Sequence, residues 1–307
     1  MLNVFESIPW VEKYRPKKFE DIVLDKNNKI LLENIITQNN FPNLLFYGPP
    51  GTGKTTTIIN LINKYQEKYK QQKKGLKIHL NASDDRGIEI IRSQISQFVS
   101  TKSLFSADGV KFIILDEVDY MTKNAQQALR NLIQKYDHNV RFCLICNYIS
   151  KIDSALQNEF IRLRFCQLPK KDINRFLKNI VKKEKIIISN EQINSIQCQF
   201  KSDIRSMINF IQSHSNTTFD NNIISNTFFE NIFNNLKKKK LALYDICIKN
   251  NIRINSFIIQ FITYLVFNKQ EIIDTNILLK FKFIVHNNSV SDFYLINFFS
   301  GELAKLL

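Results

Sequence analysis

The stretch Gly48-Pro49-Pro50-Gly51-Thr52-Gly53-Lys54-Thr55 has the spacing G-x-x-x-x-G-K-[ST], the pattern of a loop that holds phosphate. It follows an apolar run, Asn43 to Tyr47, and opens a helical stretch, Thr56 to Tyr65. Its glycines let successive backbone N–H groups turn inward around phosphate oxygens, aided by the positive end of the following helix. Lys54 is placed to bridge the β- and γ-phosphates of a nucleotide, and Thr55 to offer a hydroxyl to Mg²⁺. A second signal is Phe112-Ile113-Ile114-Leu115-Asp116-Glu117, where four apolar residues deliver two carboxylates to the tip of a buried strand. Asp116 is the candidate for the Mg²⁺ shell beside Thr55, and Glu117 for polarising an attacking water. Asn147 ends the next apolar run and would face the γ-phosphate and that water.

The remaining reactive side chains read as structural. Cys143 and Cys146 form a C-x-x-C inside the apolar run Phe142 to Cys146, with no second pair downstream, so they are expected as buried strand residues and not as metal or redox groups. Five scattered cysteines make no disulfide framework and fit a reducing compartment. The four histidines share no ligand spacing. No apolar run reaches the ~18 residues of a spanning helix, and Met1 to Trp10 lacks a signal-peptide pattern. A soluble, intracellular protein is expected.

Those residues need a scaffold. At roughly 150 residues per domain, 307 residues imply about two domains. Short apolar runs at 43–47, 77–80, 112–115 and 142–146 alternate with helical stretches, which predicts an α/β core with a parallel sheet and flanking helices. From Pro169 the pattern turns to amphipathic helices, over Lys170 to Lys185, Asn190 to Phe200 and Asp203 to Ser213. The division expected is 1–165 for the nucleotide-binding core, 166–229 for a small helical lid and 230–307 for a helical end. Net charge is +15, which favours a polyanionic partner, and it is concentrated early: residues 251–307 hold 5 basic and 4 acidic side chains. The lysines from Lys64 to Lys77 and the run Lys237 to Lys240 are expected chiefly as solvated surface.

Several blocks together resemble the small subunits of replication factor C, the sliding-clamp loader of the AAA+ ATPase class. They are Trp10-Val11-Glu12-Lys13-Tyr14-Arg15-Pro16, the phosphate loop, Leu80 to Ile88 with its Asn81-Ala82-Ser83-Asp84-Asp85-Arg86 core, Asp116-Glu117-Val118-Asp119 with Met121-Thr122, and Arg141 to Tyr148. The resemblance is dense over 9–165, looser to about 215 and architectural beyond. It implies an AAA+ P-loop core, a helical lid and an all-α collar that joins subunits into a hetero-pentamer. It implies ATP with Mg²⁺ as ligand, held by Val11, Arg15 and Val23 at the adenine and by Gly48 to Thr56 at the phosphates. Asn147 becomes the core sensor and Arg205 the lid sensor. The lid pattern, usually Gly-Asp-x-Arg, here reads Ser202-Asp203-Ile204-Arg205.

The same resemblance implies loading of a sliding clamp of the proliferating-cell nuclear antigen type onto primer–template DNA at the site of replication, in a nucleus or the replication compartment of a virus or reduced genome. Arg86, Arg92, Thr122 and Lys123 match positions that follow the DNA backbone, contacts that fix position without reading sequence. One position departs from the pattern. Family small subunits carry Ser-Arg-Cys where this chain has Asn158-Glu159-Phe160, so Glu159 stands where an arginine finger would reach the neighbouring subunit's ATP. A carboxylate cannot stabilise charge on a transferring phosphoryl group, where such an arginine contributes ~10³–10⁵ in rate. The expectation is an intact site of its own and a defective contribution to its neighbour's. Two other readings stay open: an ATP-binding structural subunit of the same loader with little turnover, and another AAA+ DNA remodeller.

Overall fold

A computed structural model of the chain describes residues 8–70, 75–82, 87–100, 109–136, 140–215, 226–237, 243–249, 253–273, 275–286 and 291–304. The chain divides into two units, one of Met1–Ile187 with Phe200–Ser215 and one of Ile188–Gln199 with Asn216–Leu307.

The first unit is built on five parallel strands: β1 (Leu44–Tyr47), β2 (Lys77–Asn81), β3 (Lys111–Asp116), β4 (Val140–Cys146) and β5 (Ile161–Arg164), in the order β2-β3-β4-β1-β5. Leu45 pairs with Leu144, Ile113 with Phe142 and Leu44 with Ile161. The three inner strands β1, β3 and β4 read as largely apolar runs because both of their faces are covered. Leu44, Phe46, Phe112, Ile114 and Ile145 pack on one face with Leu32 and Ile36 of α2 (Lys26–Thr37) and Ile58, Leu61 and Ile62 of α3 (Lys54–Lys68). Their neighbours Leu45, Ile113, Leu115, Phe142 and Leu144 point the other way, onto Leu129, Leu132 and Ile133 of α5 (Lys123–Lys135). Cys143 and Cys146 lie buried in β4 on opposite faces, and burial pushes the Cys146 thiol up to about 12 and that of Cys143 higher still. Both are inert there.

The sequence predicts four strands; the fifth, β5, is the edge strand beside β1. It alternates Ile161, Arg162, Leu163, Arg164, and Leu163 alone is buried. Two arginines in four residues hide an edge strand from a search for apolar runs.

Before the sheet come α1 (Trp10–Lys13) and α2, whose N-cap is Asp25 accepting from the N–H of Asn27. α4 (Gly87–Ser100) follows β2. The short α6 (Ser154–Gln157) precedes β5. Past the sheet, Pro169 precedes α7 (Lys170–Lys183), which buries Ile173, Leu177, Ile180 and Val181 on one stripe. α8 (Asn190–Phe200) lies almost wholly in the second unit, and α9 (Ile204–Ser213), in the first, buries Met207, Ile208 and Ile211.

In the second unit, α10 (Asn226–Lys237), α11 (Leu243–Lys249), α12 (Ile254–Asn268), α13 (Thr275–His286) and α14 (Asp292–Ala304) share an aromatic-rich core around Phe229, Phe257, Phe261, Phe281 and Phe299. Among the described residues no helix is long and apolar enough to cross a membrane.

Candidate functional site

The carboxyl ends of β1, β3 and β4 converge on one cavity, as expected where ligands bind to an open parallel sheet. β1 ends in the phosphate loop, and two of its glycines are obligatory. At Gly48 (φ 142°) a Cβ would lie 1.8 Å from the carbonyl oxygen of Phe165, and at Gly51 (φ 72°) one would lie 1.8 Å from Oδ1 of Asp203. The loop is thereby wedged between the end of β5 and the start of α9.

Lys54, the first residue of α3, is 7% exposed. A buried ammonium needs acceptors, and its Nζ has three: Gly48 O at 2.7 Å, Pro49 O at 2.9 Å and Asn147 Oδ1 at 3.0 Å. Burial pulls its pKa below the usual lysine value, and the Asp116 carboxylate pushes back.

Thr55 Oγ1 donates to Asp116 Oδ2 at 2.7 Å, and Asp116 Oδ1 accepts the N–H of Glu117 at 2.9 Å. Burial alone would raise the Asp116 pKa, but the His79 ring 3.8 Å from Oδ2 and the hydrogen bonds from Thr55 and the Glu117 N–H hold it below the ordinary carboxylate value. Glu117 itself sits in the left-handed region (φ 57°), a conformation that non-glycine residues adopt chiefly where surrounding structure enforces it. Its bend starts the turn Val118–Tyr120 and leaves Glu117 lining the cavity.

Asn147 is held by a residue the sequence motif left without a role. Asp119, 5% exposed, accepts the N–H groups of Asn147 and Tyr148 on Oδ2, each at 3.3 Å. Its place in the Asp116-to-Asp119 acidic box is the sequence signal it carries, and its partners across the sheet end come from the fold.

The cavity, about 210 Å³, is closed by Val11, Arg15, Pro16, Ile22 and Val23 from the N-terminal segment, Phe176 of α7, and Ile204, Arg205 and Ile208 of α9. Arg15 Nε donates to Thr56 Oγ1 at 3.2 Å. Asp203 caps α9, its Oδ1 accepting the Ser206 N–H at 3.0 Å, and the Ile204 N–H donates to Gly51 O at 3.2 Å. The helix carrying Arg205 therefore begins on the backbone of the phosphate loop. The N-terminal segment is tied to α7 and α9 as well: the Trp10 N–H donates to Gln212 Oε1 at 3.0 Å, and Lys13 Nζ (2.6 Å) and the Tyr14 hydroxyl donate to Glu184 Oε1.

Val11, Arg15, Val23, Pro50, Gly51, Thr52, Gly53, Lys54, Thr55, Thr56, Asp116, Glu117, Asn147 and Arg205 all line this one cavity, while Gly48 and Pro49 touch it through Lys54. Phe176 and Ile208 were not foreseen; both lie on the inward stripes of amphipathic helices. The donor set suits a magnesium nucleotide: a hydroxyl and a carboxylate supply hard oxygen ligands beside a buried ammonium, and an apolar wall stands opposite.

Other candidates fall elsewhere. Thr122 is the N-cap of α5, accepting the Ala125 N–H at 3.3 Å, and Lys123 begins that helix; both are exposed and outside the cavity. Arg86 lies outside the described residues, and Arg92 is in α4 with its side chain outside them. Glu159 also faces away from the cavity, its Oε1 accepting from Arg130 Nε at 3.1 Å and Gln134 Nε2 at 2.8 Å. Lys64, Lys68 and Lys77 each take an acceptor within the chain: Glu20, Ile36 O and Asn63 Oδ1. No cluster of three or more His, Cys, Asp or Glu side chains is arranged for a metal ion among the described residues.

Residues 44–168 match the AAA family, the ATPase family associated with various cellular activities. The chain is 42% identical over 228 residues to a probable replication factor C subunit 5 of Dictyostelium discoideum, covering 74% of this chain and 65% of that protein. It is 46% identical over 208 residues to replication factor C subunit 3 of Schizosaccharomyces pombe, covering 67% and 59%. To human replication factor C subunit 5 the identity is 43% over 208 residues, covering 67% and 60%. The chain thus spans between 59% and 65% of the length of these relatives. The phosphate loop, the Asp116-Glu117 tip and Asn147 gather at one end of a five-stranded parallel sheet with Arg205 of α9 beside them, and with these identities the chain carries an AAA ATPase core and is similar over about two thirds of its length to the small subunits of replication factor C.

Proposed function

We propose that the chain is an ATP-hydrolysing small subunit of a clamp loader, acting with other loader subunits to place a sliding clamp on primer–template DNA during replication. The observation that carries this reading is the meeting of Lys54, Thr55, Asp116, Glu117 and Asn147 from the core with Arg205 from α9 around one cavity. Val11, Arg15 and Val23 hold the adenine side. The loop N–H groups and Lys54 hold the phosphates, and Glu117 orients a water for attack with Asn147 beside it. Thr55 and Asp116 would hold a Mg²⁺, which would supply neutralisation of charge on the transferring phosphoryl group.

Lys54 already bonds Asn147, and α9 already rests on Gly51. A change at the phosphates is therefore felt by the tip of β4 and by the helix that bears Arg205. Such coupling turns hydrolysis into a conformational switch, from a state that holds clamp and DNA to one that releases them. Arg86, Arg92, Thr122 and Lys123 are the DNA-backbone contacts of this reading. The sequence division into core (1–165), lid (166–229) and collar (230–307) assigns the last segment to subunit packing.

Glu159 favours a second reading, in which the chain binds ATP as a structural member of the loader. Its carboxylate is engaged by Arg130 and Gln134 and presents no cation to an adjacent subunit. Turnover by the complete complex, stimulated by clamp and DNA, separates the two. Lys54→Ala in this subunit removes a share of that turnover if the site hydrolyses ATP, whereas unchanged turnover assigns the chain the structural role. Strand displacement by the complex would instead identify a remodeller.

A further inference from the structure

Next to the nucleotide cavity the first unit carries a second, larger hollow of about 840 Å³. It is lined by α7, by the first turn of α2 and by residues of the segment between Lys13 and Leu24. Its charge is unbalanced. Lys17, Lys26, Lys29 and Lys183 line it and form no ion pair with a described carboxylate. Of the acids around it, Glu20 is taken by Lys64 and Asp172 by Arg175 at 3.6 Å, which leaves Asp21 facing four lysines.

Two of those lysines stand where helix electrostatics disfavours them. The N-terminal turn of a helix attracts anions, yet α2 has no acid in its first turn and places Lys26 there, with Lys29 one turn on. The Asp25 carboxylate caps this end of the helix, so a bound anion would meet the lysines. The hollow is also long, since α7 lines it from Pro169 to Lys183, about 20 Å of helix. That length suits a chain of charges and not one isolated phosphate.

The four lysines are point charges that take phosphate oxygens, while Arg15 and Arg175 are tied to Glu12 and Asp172. Tyr14 and Phe176, which also line the nucleotide cavity, add aromatic surface to the lysines, the combination of cations and aromatic rings that accepts single strands. The hollow lies with α2 and α3, across the sheet from α5 and hence from Thr122 and Lys123.

We propose that this hollow is a separate nucleic-acid site that takes a single strand by its phosphodiester backbone, without base preference. The proposal does not depend on the clamp-loader reading. Its test is binding of a fluorescently labelled oligothymidylate to the full chain, followed by anisotropy between 50 and 200 mM salt, a range chosen because backbone binding changes steeply there. The triple variant Lys17→Glu, Lys26→Glu, Lys29→Glu is expected to bind at least about tenfold more weakly. Its plot of log affinity against log salt is expected to be shallower by about 2, because each lost contact to a single strand removes roughly 0.7 from the slope. The Gln versions of the same variants, matched to wild type by thermal denaturation, keep the test open should charge reversal perturb folding. Wild-type affinity and slope in the triple variant overturn the proposal. So does a polyglutamate of equal charge that competes as well as unlabelled oligothymidylate, which would assign the hollow to an acidic protein segment.

Discussion

The hydroxyl of Thr55 donates to Oδ2 of Asp116 across 2.7 Å, joining the first turn of α3 to the end of β3. Both atoms are hard oxygen ligands, the type that a hydrated Mg²⁺ would take in the proposed function. Thr55→Ala removes one ligand and leaves the carboxylate; Asp116→Asn removes the charge. Each is expected to raise the Mg²⁺ concentration needed for half-maximal ATPase, Asp116→Asn the more strongly, with little change in folding. A magnesium titration of turnover checks this, and an unchanged midpoint in both variants would remove these residues from the metal site.

Gly51 is where the loop and α9 meet. Replacing it by Ala forces a side chain into a left-handed conformation, at a cost of about 1–2 kcal/mol, and directs its Cβ to within 1.8 Å of Asp203. Denaturation of Gly51→Ala should show at least that loss, and ATP binding should weaken because Arg205 is displaced with α9. In the double variant with Asp203→Ala the two losses should be less than additive, since each relieves the other's contact. Strict additivity would mean that the loop and the helix are not mechanically joined.

How much of this could be read in advance depended on whether one segment held the information. Lys54 and Thr55 are legible because the phosphate-loop spacing fixes their chemistry, and Asp116, Glu117 and Asn147 because each sits at the end of an apolar strand. β5 escaped notice because Arg162 and Arg164 make an edge strand look like a charged loop. Asp119 was visible as a letter in the acidic box, but its hydrogen bonds to the turn after β4 depend on the fold. Phe176 and Ile208 belong to helices that read only as amphipathic, and which groups face them is decided by docking against the N-terminal segment. The lysine-lined hollow combines α2 with α7, more than a hundred residues apart, and no local pattern carries it.

Asp119 gives a prediction about position. Asp119→Ala leaves two backbone N–H groups without their acceptor, at a cost of about 1–3 kcal/mol, and loosens the turn that aims Asn147. Since Asp119 does not line the cavity, ATP affinity should change little while turnover falls. The split between binding and rate is the check, and a proportionate loss of both would assign Asp119 to binding.

Glu184 predicts a pH effect. Burial alone would raise its pKa, but hydrogen bonds from Lys13 and Tyr14 hold it below the ordinary carboxylate value. A depressed folded-state pKa adds stability that is present above the unfolded value, near about 4.3, and fades as pH falls through the folded value. Glu184→Gln should therefore be less stable than the wild type at neutral pH, by a modest amount because the contact is partly solvated. The difference should vanish in acid. Thermal melts of both proteins from neutral to strongly acidic pH decide it, and a gap that widens in acid would contradict the assignment.

Glu159 makes the sharpest demand on the functional reading. Arg130 and Gln134 anchor its carboxylate, so this surface offers an adjacent nucleotide no free positive charge from position 159. Glu159→Arg would break both hydrogen bonds, set a second guanidinium beside Arg130 and free a cation to reach across a subunit boundary. In the assembled complex this variant should raise turnover, by as much as ~10³-fold if a finger is the sole missing part of the neighbour's site. Glu159→Gln is the control: it keeps an acceptor for Arg130 without adding charge, and should leave turnover where it was. A gain in both variants would mean that release of Arg130, and not a new cation, is what the site had lacked. No gain in Glu159→Arg, with the neighbour's site otherwise competent, would show that Glu159 does not occupy a finger position.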